Sequence, residues 1–210
     1  MMPLQKQKKI IVRLHVAGIL SVDDYTPFPK PYCVDPSAVK AIYLGCDPSN
    51  TGGKRFCYAF ALPDGEEYGF GPFVKDHKSN LLQIGLSWET VYAQNLCQNY
   101  FTKETSANLA EWKKAAEIWT KTLKKELSAF PSDIPVLLTA EVLYEALLKS
   151  GVKPQKAIEF YNCKGGGTIP VPPKDNKLDR PLIPFYRHRR YHLLKNKWPS
   201  YQESVSKWVK

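Results

Sequence analysis

Residues Leu44–Leu62 read LGCDPSNTGGKRFCYAFAL, entered through the apolar run Ala41-Ile42-Tyr43-Leu44. Four consecutive apolar residues predict a short buried strand. It breaks at Gly45, turns through Asp47-Pro48-Ser49-Asn50 and passes Gly52-Gly53. That order sets a single carboxylate, Asp47, at the carboxyl end of a strand, where open α/β sheets bind their ligands. The plainer reading of Asp-Pro-Ser-Asn is a surface turn.

Working outward, Val91–Tyr100 (VYAQNLCQNY) is a second strand-like segment, with alternate residues on opposite faces. Asn108–Phe130 reads as a helix. Leu109, Trp112, Ala116, Trp119, Leu123 and Leu127 recur every three or four residues, with lysines and glutamates opposite. Asn108 and Glu111 have the spacing of a capping pair, and the two tryptophans belong to a continuous core stripe. Ile134–Leu138 is a fully apolar strand; Thr139–Ser150 is a helix closed by Gly151. Ile158–Tyr161 reads as a further short strand. Lys164–Arg180 is a loop rich in glycine, proline and lysine. Leu182–Tyr186 returns to strand character, Arg187–Lys197 is densely basic, and Ser200 with Glu203 caps a last helix bearing Tyr201, Val205 and Trp208. At the other end, residues 1–9 read as frayed, and Ile10–Leu20 as either a strand or a short helix. Thr26–Pro31 is a stiff extended loop. Residues 63–72 read as a surface excursion, with His77 solvated in the polar stretch beyond.

Strand, helix and strand in alternation predict an α/β chain, a three-layer α/β/α sandwich on a mainly parallel sheet. With 210 residues, one domain spanning residues 1–210 buries a sufficient core without metals or disulfides. A formal net charge of +10, from 30 Lys and Arg against 20 acids, favours a polyanionic partner, nucleic acid first, over a merely solvated basic surface.

The five cysteines (Cys33, Cys46, Cys57, Cys97 and Cys163) are scattered and form no CxxC pair. They offer no ligand set for zinc or an iron–sulfur cluster, and read as reduced thiols of an intracellular protein, cytoplasmic or nuclear. Arg13 and His15 interrupt Ile10–Leu20, no small-residue cleavage site follows, and nothing reaches transmembrane length. No membrane partner is expected.

Aligned without a gap from Gly45, the first stretch resembles the water-activating motif of the uracil-DNA glycosylase superfamily, which runs roughly GQDPYHGPGQAHGLAFSV. The Gly-x-Asp-Pro start, Gly53, and Ala59-Phe60 match. Gln94-Asn95-Leu96-Cys97 resembles the strand motif of the single-strand-selective monofunctional branch, close to VHNLCP. The family's His-Pro-Ser-Pro loop has a poorer counterpart in Phe185–Arg190, where His188 follows the last predicted strand and Arg189, Arg190 and Tyr191 replace the serine and prolines. His192 is a rival for the same role. The family's fold is also an α/β/α sandwich.

The resemblance implies a DNA glycosylase that hydrolyses the N-glycosidic bond of uracil, or of a related 5-substituted or damaged base, without cofactor or metal. Such a cleavage leaves positive charge on the sugar and negative charge on the base. By position, Asp47 would stabilise the cation and hold the attacking water, while His188 would stabilise the departing base. Asn95 would read the pyrimidine edge with an amide that offers donor and acceptor side by side. Phe60 stands where the family stacks a ring on the flipped base; an ordinary core phenylalanine is the alternative. Cys46 replaces a glutamine that contributes mainly backbone, Ser49 replaces the tyrosine that blocks a thymine methyl, and Asn50 replaces a histidine. Arg187, Arg189, Arg190, Lys195 and Lys197 would clamp phosphates, with Tyr191 as a wedge. A monomer acting on single- or double-stranded DNA is expected. The degenerate histidine segment leaves a catalytically inactive DNA-binding protein on the same scaffold as the alternative, and an unrelated nucleotide hydrolase as a third reading.

Overall fold

The computed structural model describes residues 2–48, 55–62, 71–161, 169–186 and 198–209, and structural statements below concern these. β1 (Ala41–Gly45) is buried along its whole length, as an apolar run covered on both faces must be. It lies between β2 (Val91–Asn95) and β3 (Val136–Leu138), and β4 (Leu182–Pro184) pairs with β3. The order is β2-β1-β3-β4, and every pairing is parallel. The chain is therefore α/β, and β2, β3 and β4 are each shorter than the segment that announced them.

Side chains alternate across this sheet and meet a different layer on each face. On one face Tyr92 and Gln94 reach Glu126 of α3 (Leu109–Leu127). Lys113 of α3 pairs with Glu145 of α4 (Glu141–Leu147) at 2.9 Å. On the other, Tyr43 packs on His77 of α2 (Gly71–Leu82) with ring centroids 5.4 Å apart. Tyr201 of α6 (Trp198–Ser206) donates its hydroxyl to the Pro184 carbonyl on that side.

α3 forms as its periodicity predicts, with Trp112, Ala116, Trp119, Leu123 and Leu127 buried and both tryptophans fully enclosed, but Leu109, counted in the same stripe, is 43 % exposed. Its ends are held by distant chain. The Asn108–Glu111 capping pair does not form. Asn108 donates instead to the Ser21 hydroxyl at 2.5 Å, and Glu111 accepts three hydrogen bonds from Leu20 and Ser21. Three donors on one carboxylate outcompete a single reciprocal cap. At the other end the buried Arg180 guanidinium donates to the carbonyls of Leu127, Phe130 and Pro131, acceptors that helix termination leaves over.

Four local expectations are corrected. Residues 4–9 are not frayed, because α1 (Leu4–Val16) begins there and buries Gln7, Ile10 and Leu14 on one side. The Gln7 side chain fixes it, donating to Met2 and accepting from the Phe28 amide. His77 is not solvated: it is 2 % exposed and bonded through Nδ1 to the Tyr43 hydroxyl. Ile158–Tyr161 is no strand but part of α5 (Ala157–Tyr161), where Tyr161 packs on Tyr201 with centroids 4.4 Å apart. Ser200 does not cap α6, which begins two residues earlier, and Trp208 lies beyond its end, 45 % exposed.

The described cysteines, Cys33, Cys46, Cys57 and Cys97, are free thiols, and only Cys97 is fully buried. Cys163 lies outside the described residues. No described helix is long and apolar enough to cross a membrane.

Candidate active site

β1 and β2 end together, with Gly45 opposite Asn95. Pairing continues one step beyond, where the Leu96 amide donates to the Gly45 carbonyl (2.8 Å) and the Cys97 amide to that of Cys46 (2.9 Å). Cys46-Asp47 and Leu96-Cys97 therefore leave the sheet side by side at its carboxyl edge. Gly45 is required by close approach. A methyl group on its α-carbon would stand 2.3 Å from the Asn95 amide oxygen and 2.9 Å from the Phe60 ring. The amide and the ring meet over the bare backbone of Gly45.

Asn95 is 4 % exposed, yet its side-chain amide has no hydrogen-bond partner among the described residues. Its backbone is held: the Asn95 N–H donates to Gln94 Oε1 at 2.8 Å, and Gln94 Nε2 donates to Glu126 at 3.0 Å.

Phe60 sits on strained backbone, at φ 61° and ψ 17°, followed by Ala61 at φ 57°. Two consecutive left-handed residues other than glycine persist only where the surroundings hold them. Tyr43, His77, Trp88 and Phe73 surround the ring, with centroids 5.1, 5.2, 5.9 and 6.5 Å away.

Asp47 accepts a hydrogen bond at Oδ1 from the Thr105 hydroxyl. Burial pushes its carboxyl up to about 6, against the opposing pull of the Thr105 hydroxyl and the Trp112 indole. At neutral pH it is mostly ionised. The neighbouring Cys46 and Cys97 thiols are pushed up by burial and by the Asp47 charge, so they stay protonated and are poor nucleophiles. No group of three His, Cys, Asp or Glu side chains among the described residues could hold a metal ion.

Four of the residues singled out from the sequence thus gather at one sheet edge: Cys46, Asp47, Phe60 and Asn95. Ser49, His188 and its rival His192 lie outside the described residues, as do Arg187, Arg189, Arg190, Tyr191, Lys195 and Lys197. Thr105 escapes sequence reading because a lone threonine in a polar connection carries no pattern. Trp112 reads only as core, since a hydrophobic stripe does not reveal where an indole N–H points. His77 is hidden by its charged neighbours Lys75, Asp76 and Lys78. No protein-family model matches the chain, and no curated protein matches its sequence.

Proposed function

We propose that the chain is a metal-independent, monofunctional DNA glycosylase that hydrolyses the N-glycosidic bond of uracil or a related 5-substituted or damaged base. One observation carries this reading. The Asn95 amide makes no hydrogen bond to a described residue and shares the bare face of Gly45 with the Phe60 ring. An amide offering donor and acceptor beside an aromatic face suits a flat pyrimidine taken out of the stack. Asp47, on the adjoining strand end, supplies a carboxylate for the cationic sugar and the attacking water.

His188 takes the departing base oxygen in this scheme, and the basic run from Arg187 to Lys197 holds the phosphates while the base is flipped. The protein acts as a monomer within the cell and needs no cofactor. The altered histidine segment favours one second reading, a DNA-binding protein that has lost catalysis.

The test is release of free base from a single-stranded oligonucleotide and its duplex, each with one uracil, alongside an all-thymine control and free deoxyuridine. Uracil release from the oligonucleotides, abolished in Asp47→Asn and Asn95→Ala, supports the proposal. DNA binding without release supports the non-catalytic reading. Cleavage of deoxyuridine but not of DNA points to a nucleotide hydrolase.

A further inference from the structure

Asp47 lies against two donors from one continuous piece of chain. Thr105 belongs to the 3-10 turn (Thr105–Ala107) that leads into α3, and Trp112 to the first turn of α3 itself. This junction is firmly built. The Asn108 amide donates to the Thr105 carbonyl at 3.2 Å and the Trp112 amide to the Asn108 carbonyl at 2.9 Å. Asn108 and Glu111 tie the same turn to Ser21. The Thr105 hydroxyl donates to Asp47 Oδ1, whereas Oδ2 takes no hydrogen bond of standard geometry from a described residue. The Trp112 N–H is fully enclosed, has no such bond either, and bears on the same carboxylate.

We propose that Thr105 and Trp112 are positioning residues, a donor cradle that fixes the Asp47 carboxylate in its ionised form with Oδ2 left for water. This rests on the glycosylase reading for its catalytic meaning, but not for its geometry. The titratable groups that bear on Asp47 among the described residues are the Cys46 and Cys97 thiols, both neutral. Only the hydroxyl and the indole therefore offset burial there. A donor to the ionised form lowers a carboxyl pKa, so its removal raises it. Without the cradle Asp47 gains a proton near neutral pH and can no longer orient water or face a cationic sugar.

The experiment follows the Asp47 side-chain carbon by 13C NMR from pH 4 to 8, its signal assigned with Asp47→Asn, in wild type, Thr105→Val, Thr105→Ser and Trp112→Phe. The pH profile of kcat for uracil release is recorded on the same proteins. Thr105→Val is expected to move the Asp47 midpoint and the acidic limb of the profile upward together by about one pH unit, a tenfold loss of rate well below it. Thr105→Ser restores both, and Trp112→Phe shifts them in the same direction. An unmoved NMR midpoint in folded Thr105→Val overturns the cradle, whatever Trp112→Phe does. A shifted midpoint in a protein that releases no base upholds the cradle and defeats the glycosylase reading instead.

Discussion

Gly45 and Asn95 are register partners on β1 and β2, and the Asn95 amide oxygen occupies the space where a side chain at Gly45 would begin, 2.3 Å from its β-carbon position. The amide is the neighbour that must move, because Phe60 closes the same space at 2.9 Å from ring carbon and is itself caged. Gly45→Ala is therefore expected to displace the amide and cut kcat/KM for uracil release by about 10²-fold, the scale of a 1 Å misplacement. It should also lower stability by about 1–3 kcal/mol, as overpacking does. Gly71→Ala is the control, since nothing lies within 4 Å of its β-carbon position. Base release and urea unfolding of both variants check this; full activity in Gly45→Ala would show that the amide is not needed where it stands.

Asp47 should make the fold less stable at the pH where it is useful. Its carboxyl is raised from an ordinary 3.8 to about 6, so between those values the folded chain keeps a proton that the unfolded chain has lost. The contribution favours folding in acid and disappears as pH rises through about 6, leaving a cost of about 3 kcal/mol at pH 7 as an upper bound. Asp47→Asn keeps an acceptor for Thr105 and removes the charge. It is expected to gain about 1–2 kcal/mol at pH 7, seen as a higher Tm, with the advantage fading toward pH 4. A pH-independent gain, or a destabilisation, would mean that burial does not penalise this carboxylate.

How much of this is legible in the sequence depends on what each element asks of its residues. β1 is visible because a strand covered on both faces needs an unbroken apolar run, and Ala41–Leu44 is one. α3 is visible because five of the six apolar residues read at helical spacing, Trp112, Ala116, Trp119, Leu123 and Leu127, are buried on one side. α2 is not, because its buried side includes His77 and Asn80, which hydrophobic periodicity counts as polar. α5 has five residues, too few to tell a helix from a strand. At the site, Asp47 and Asn95 stand out as strand-end polar residues within motifs. Their approach to Thr105 and Gly45 depends on tertiary structure, which no spacing encodes.

The basic run from Arg187 to Lys197 makes a prediction that needs only its charge. If Arg189 and Arg190 hold phosphates, replacing both with alanine should weaken binding to every DNA sequence alike. The slope of log affinity against log salt should become shallower by about 2, near one unit for each phosphate no longer neutralised. Fluorescence anisotropy across a series of salt concentrations measures both quantities. Unchanged affinity and slope would make the run a solvated surface.

The last prediction concerns which base is accepted, and it rests on Ser49. In strict uracil enzymes a tyrosine at this place collides with any substituent at carbon 5 of the pyrimidine. On the glycosylase reading serine, being far smaller, should leave the gate open unless Arg55 or Phe56 fills it. Phe56 is already engaged: it is buried, and its backbone amide donates to the Tyr100 hydroxyl at 2.8 Å. Its ring lies tilted against Tyr100 with centroids 6.3 Å apart. Arg55 is exposed, so closing the gate would mean ordering a long solvated side chain. A pocket that merely fails to exclude a methyl group discriminates by only about 1–3 kcal/mol. Wild type should therefore release 5-hydroxymethyluracil as well as uracil, within about two orders of magnitude in kcat/KM. Ser49→Tyr should lose most of the activity on the 5-substituted base and keep uracil cleavage. Release of each base from otherwise identical oligonucleotides decides the matter. A wild-type protein that cuts uracil and rejects every 5-substituted base would mean that another side chain closes the gate, with Arg55→Ala the variant that should then reopen it.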